Sequence, residues 1–186
     1  MIFDLPTSVT FGGREWEIAT DYRDVLRVLT AFEDPDLTDA DKAAICLYNM
    51  YVDLDEIPAE LAQDALDAAV AFIDAGHTRE DTPGPRTVDW TQDAPLIFPA
   101  VNRVAGYEVR AVEYMHWWTF IGLFMEIKDT TYSTILSLRA KKGRGKKLEK
   151  WEQEYWSQNK KVCVIQRRYT QDELEEQERL RKIIGG

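Results

Sequence analysis

The amino-acid sequence predicts a mainly α-helical protein, a helical bundle that opens with a short N-terminal β-hairpin and closes with a charged C-terminal helical arm. Three observations carry this: polar–apolar alternation on both sides of Gly12-Gly13, apolar residues recurring at helical spacing between 21 and 141, and a change to dense charge from residue 139 onward. A chain of 186 residues that is 45% apolar can bury one substantial core with an appended arm. The expected organisation is a hairpin-plus-helical core domain over 1–138, with an exposed loop at about 77–88, then a basic and finally mixed-charge helical arm over 139–186.

The hairpin comes first. Ser8-Val9-Thr10-Phe11 and Arg14-Glu15-Trp16-Glu17-Ile18 flank two glycines, which supply the positive φ angles of a tight turn without strain. Val9, Phe11, Trp16 and Ile18 line its buried face. A lone hairpin is marginal in water, so it must pack on something, and the helix expected over 21–32 is nearest in the chain. Asp34-Pro35-Asp36 is a break, after which Thr38 or Asp39 caps a helix running through Ile45, Cys46 and Tyr48 to Met50. Pro58 opens the next helix. Its Leu61, Ala65, Ala69, Phe72 and Ile73 form an apolar face, with Glu60, Asp64, Asp67 and Asp74 opposite and Gly76 as the stop. Thr82-Pro83-Gly84-Pro85 cannot continue a helix and marks the exposed loop. Further helices are expected over 90–105, 111–126 and 130–141. The middle one is apolar around most of its circumference, which places it inside the bundle. In the arm, Trp151, Tyr155 and Trp156 share one helical face, and Thr170-Gln171-Asp172-Glu173 is a capping box opening a charged helix to about 184.

Charge divides the chain. Residues 1–100 hold 6 Lys and Arg against 21 Asp and Glu, whereas residues 101–186 hold 17 against 12. The acidic first half disfavours nucleic acid as the main partner, because duplex affinity comes from neutralising phosphates. The basic run Lys141, Lys142, Arg144, Lys146 and Lys147 stands apart. With the aromatic residues after it, it leaves open a nucleic-acid-binding regulator acting through 139–168, a solvated helix connection, or a docking surface for the acidic half of a second copy. It is no phosphate-binding loop, since Ala140 and Lys147 stand where such a loop needs Gly and Ser or Thr.

His77 and His116 are the only histidines, and no cysteine has a partner at zinc-ligand spacing. No metal, cofactor or catalytic set is expected, and the chain is not read as an enzyme. Cys46 and Cys163 are expected reduced. The apolar run 114–125 falls short of the ~20 residues of a membrane span. The opening Met-Ile-Phe-Asp-Leu-Pro lacks the pattern of a signal peptide, so the expected compartment is cytoplasmic. The adjacent Trp117 and Trp118 point about 100° apart on a helix. One therefore belongs to the core, and the other is a candidate anchor for a partner.

A string of motifs points further: Leu5-Pro6 with Val9, Ile18 with Thr20-Asp21-Tyr22-Arg23, Asp93-Ala94-Pro95-Leu96-Ile97-Phe98, Gly106-Tyr107, His116-Trp117-Trp118 with Phe120, and Thr131-Tyr132-Ser133 with Ile135 and Arg139. Their order and spacing resemble the phage gene product fifteen family over roughly residues 3–169, most strongly over 89–139. The resemblance implies a tail assembly chaperone of long-tailed phages of Gram-positive hosts. Such a protein binds the tape measure protein, keeps it soluble and is displaced as tail tube subunits polymerise. It acts in the host cell cytoplasm and is absent from the mature virion. The expected partners are the tape measure protein and a second copy, with the major tail tube protein as a further candidate. Trp117, Trp118 and the basic run are the candidate contact residues. No catalytic residue carries over. The alternative in another class is a structural head–tail connector or tail virion protein. The Pro-Gly-Pro loop and the tail after Tyr169 depart from the family's pattern.

Overall fold

The computed structural model describes residues 4–75 and 84–184, and among them it is mainly helical with one two-stranded antiparallel hairpin. Strands β1 (Ser8–Phe11) and β2 (Arg14–Glu17) pair with Val9 opposite Trp16 and Phe11 opposite Arg14. Gly12 and Gly13 take φ of 57° and 76°, the two positive values that a tight hairpin turn demands. Phe11, Trp16 and Ile18 are buried as expected. The hairpin rests on α3 (Ala62–Ile73), not on the helix next to it in the chain. A side chain at Gly12 would collide with Leu61, just ahead of α3, so the bare glycine sets how closely the two approach.

Helix α1 (Tyr22–Phe32) starts at Asp21, whose carboxylate accepts from the Arg23 N–H. Helix α2 (Asp39–Met50) starts at Thr38, with a reciprocal capping box to Asp41. Pro58 precedes a short 3-10 turn, Ala59–Leu61, that leads into α3. On α3 the residues Ala65, Ala69, Phe72 and Ile73 are buried as the apolar face requires. The expected stop at Gly76 and the 77–83 part of the loop lie outside the described residues.

Helix α4 is Ala94–Ala105, α5 is Trp117–Met125 and α6 is Thr131–Gly143. Two of these start later than their apolar patterns suggest, each for a local polar reason. Residues 90–93 form a turn in which the Asp89 carboxylate takes the Thr91 and Gln92 N–H groups, competing with helical bonding. Ahead of α5, the carbonyls of Arg110, Val112 and Glu113 accept from the Arg23 guanidinium and leave the chain extended to His116. The arm contains α7 (Lys150–Gln158), α8 (Lys160–Cys163) and α9 (Gln171–Ile184), the last opened by the Thr170–Glu173 capping box.

Helix α5 differs from its all-round apolar reading. Only Trp117 and Phe120 on it are buried; Trp118, Ile121, Leu123 and Phe124 are partly buried against the core, and one narrow face with Thr119, Gly122 and Met125 is left open. Phe120 stacks on Tyr22 at 4.5 Å between ring centres, and Trp117 stands 5.9 Å from Phe120. This aromatic stack is the centre of the main core. Cys46 and Cys163 are buried free thiols, and burial raises the Cys46 thiol to about 11. Among the described residues no helix is long and apolar enough to cross a membrane.

Candidate docking surfaces

Two polar clusters set the positions of α5 and of the arm. The first seats α5. The Trp117 N–H donates to the Thr20 carbonyl at 2.7 Å, the Tyr22 N–H to the Met115 carbonyl, and the Met115 N–H to the Asp21 carboxylate. His116 Nδ1 accepts the Trp118 N–H, so its Nε2 carries the proton and donates to the Pro6 carbonyl at 2.9 Å. The two indole N–H groups of Trp117 and Trp118 donate to the Ile73 and Phe72 carbonyls, at 2.7 and 2.9 Å. The orphaned carbonyls at the end of α3 are thereby satisfied.

The second cluster seats the arm. Arg139 and Asp93 form a bidentate pair at 2.6 and 2.9 Å, with side chains only 3% and 1% exposed. The other guanidinium hydrogens reach the carbonyls of Thr87, Val162 and Cys163, so all five donors of a buried arginine are used. Next to it Arg168 bridges Asp89 and Glu33, and Arg86 pairs with the same two acids. Burial works to raise the Asp89 carboxyl, but the Gln92 N–H with Arg168 and Arg86 outweighs it and holds the pKa below the ordinary value. Burial prevails at Glu33, which is raised. Pro85 lies against Gly143, where any side chain would strike its ring.

The expected contact residues fall on two separate surfaces. Trp117 is inside the core. Trp118 is half-buried, its ring 6.0 Å from Phe72 at the end of α3, and it borders the face of α5 that carries Gly122 and the exposed Met125. Space above Gly122 is open, leaving a notch in an otherwise apolar strip. The basic run closes α6 and turns towards α7. Lys141 pairs with Glu152, and Lys142 lies 4.3 Å over the Trp156 ring. Arg144, Lys146 and Lys147 are exposed, and so is Trp151 at the start of α7, at 54%. Because α6 packs on α4 and α8 while α5 packs on α1 and α4, the tryptophan pair and the basic run are not brought together.

A third surface escaped the sequence reading. At the end of α2, Tyr48 is 77% and Val52 61% exposed around a shallow pocket bordered by Asp53, Asp55 and Glu56. The one sign of it in the sequence is that Tyr48 falls on the opposite face of the 39–50 helix from Cys46 and Met50.

Among the described residues, no group of three or more His, Cys, Asp and Glu is placed to hold a metal ion. Fold and surfaces together define a small helical protein with a leading hairpin, distinguished by exposed apolar and charged faces. The chain belongs to the phage family described as Bacteriophage Gp15 protein, whose family model matches residues 1–164. No curated protein and no solved structure matched it. The residues that carry the resemblance meet in the two polar clusters: Pro6, Thr20, Asp21, Arg23 and His116 in one, Asp93, Tyr132 and Arg139 in the other.

Proposed function

We propose that the protein is a tail assembly chaperone, a non-enzymatic factor that binds the tape measure protein in the infected cell and leaves as tail tube subunits polymerise. Membership of the phage family over residues 1–164 is the observation that carries this reading. A long tape measure helix exposes apolar stripes that aggregate unless covered. The strip on α5 suits that task. Trp118 is held by its indole hydrogen bond as a rigid anchor, Met125 is adaptable, and the notch at Gly122 lets another helix backbone come close. The net charge of −10 would favour solubility of the resulting complex.

Co-expression with the tape measure protein of the same phage tests the proposal. The expected result is a soluble complex that co-elutes in size exclusion, from a partner that is insoluble when expressed alone. A partner that stays insoluble beside abundant soluble chain would overturn it. Mass spectrometry of purified virions addresses the connector alternative, which requires the protein in the particle.

A further inference from the structure

The charge of this protein is sorted along its packing order. Residues 39–75, which include α2 and α3, contain nine Asp and Glu against Lys42 alone. Residues 139–163, which run from the end of α6 through α8, contain nine Lys and Arg against three Glu. Helix α3 packs on α2 and β1, α2 on α1, and α1 on α5. Helix α5 packs on α4, α4 on α6, and α6 on α8. The acidic group therefore lies on α2 and α3 and the basic group on α6 to α8, elements that do not pack closely on one another.

Each end also carries a large apolar side chain where solvent would be expected. Tyr48 and Val52 stand among Asp53, Asp55 and Glu56 at the acidic end. At the basic end Trp151 follows the exposed Arg144, Lys146 and Lys147 in the chain and borders a groove lined by Ser133, Ser137 and Leu138 together with Asp129, Lys141 and Glu152. Each patch sets an exposed aromatic in a segment whose charge is mainly of one sign, with Arg14 pairing Glu56 at the acidic end and Glu149 accepting from the Trp151 indole at the basic end. This is the composition of a docking patch, with an apolar centre and a polar rim.

We infer that the Tyr48–Glu56 end of one copy docks on the Arg144–Trp151 end of a second copy, so that the protein associates head to tail. The occupant is set by complementarity: each patch opposes a copy of itself and matches the other patch of the same chain. A contact between two different patches is heterologous, so it leaves one free patch at each end and propagates into a ring or an open helical array. This holds whether or not the chain binds a tape measure protein, although an array would present the α5 strip at regular intervals along an extended partner.

Two charge-reversed variants test it. One carries Asp53→Lys with Asp55→Lys, the other Lys146→Glu with Lys147→Glu. All four positions are exposed and outside both buried clusters, and circular dichroism serves as the check that each variant is folded. In sedimentation velocity, the wild-type chain should form oligomers at ~0.1 M salt that dissociate at ~1 M, as the screening length drops from ~10 Å to ~3 Å. Each variant alone should be monomeric at ~0.1 M salt. The equimolar mixture should associate again, because each retains the native patch the other has lost. A wild-type chain that stays monomeric at low salt, or oligomers untouched by either reversal, would overturn the inference.

Discussion

The body and the arm of this protein are held by different physics. In the body, Tyr22, Trp117, Phe120 and Tyr132 belong to one continuous apolar cluster that runs from the hairpin through α1–α5. Beyond it, Ile135, Leu138, Leu148 and Cys163 are buried but lie outside that cluster. The arm is joined to the body largely by charge and hydrogen bonds: Arg139 to Asp93, Arg168 to Glu33 and Asp89, and Gln92 to Val164 and Gln166. Apolar burial is tolerant of detail, whereas a buried ion pair is stable only while every partner is in place. The body should thus behave as the durable scaffold and the arm as the part that a single substitution, or acid, detaches.

Arg139→Met breaks this contrast most sharply. It strands Asp93 as a buried charge and should cost ~3–5 kcal/mol in urea denaturation. Adding Asp93→Leu should recover only part, because the carbonyls of Thr87, Val162 and Cys163 remain without their donor. Full recovery would mean that the pair alone, not the five-bond cluster, fixes the arm. Gly143→Ala should cost ~1–3 kcal/mol by forcing Pro85 off α6, seen as a lower melting temperature.

A smaller effect concerns pH. The Asp89 carboxyl is held below its ordinary 3.8, so its contribution is present above that value and lost as pH falls through the lowered one. Glu33 has the opposite sign, since a raised carboxyl favours the folded state as it takes up its proton. Below pH ~4, Asp89→Asn should therefore flatten the acid decline in stability measured by urea titration. Glu33→Gln should act at higher pH, between the raised Glu33 value and its ordinary 4.5, where it removes a gain in stability on acidification. The smallest change lies in the body and is a gain. Gly122→Ala on the exposed side of α5 should add ~0.5–1 kcal/mol, read as a small rise in melting temperature, because glycine weakens a helix interior.

The same contrast explains what the sequence discloses. Alternation around Gly12-Gly13, the cap at Thr38, one of the two residues expected there, the capping box at Thr170, and the buried face of α3 are local patterns, and the structure has them where the residues indicate. Interactions between distant polar residues are not local patterns. Asp93 and Arg139 stand out in the motif string, yet nothing in it says that they meet, nor that Arg23 holds 112–116 out of helix. Helix α5 shows the limit from the other side. Its composition says buried, but composition cannot say how many neighbours arrive to cover it, and here one face is left open. The acidic patch was hidden likewise, because Tyr48 and Val52 look like core residues until the fold turns them outward.

The proposal that the open face of α5 receives the tape measure protein is tested most directly by Gly122→Arg. The substitution puts a charged side chain at the notch, where a Cβ meets nothing within 4 Å among the described residues, and replaces a weak helix former with a good one. Binding of the tape measure protein to the wild-type and variant chains, measured by titration calorimetry, should show at least about a tenfold loss, or ~1.4 kcal/mol, with the melting temperature of the free variant unchanged or higher. Equal affinity for the two chains would contradict the proposal.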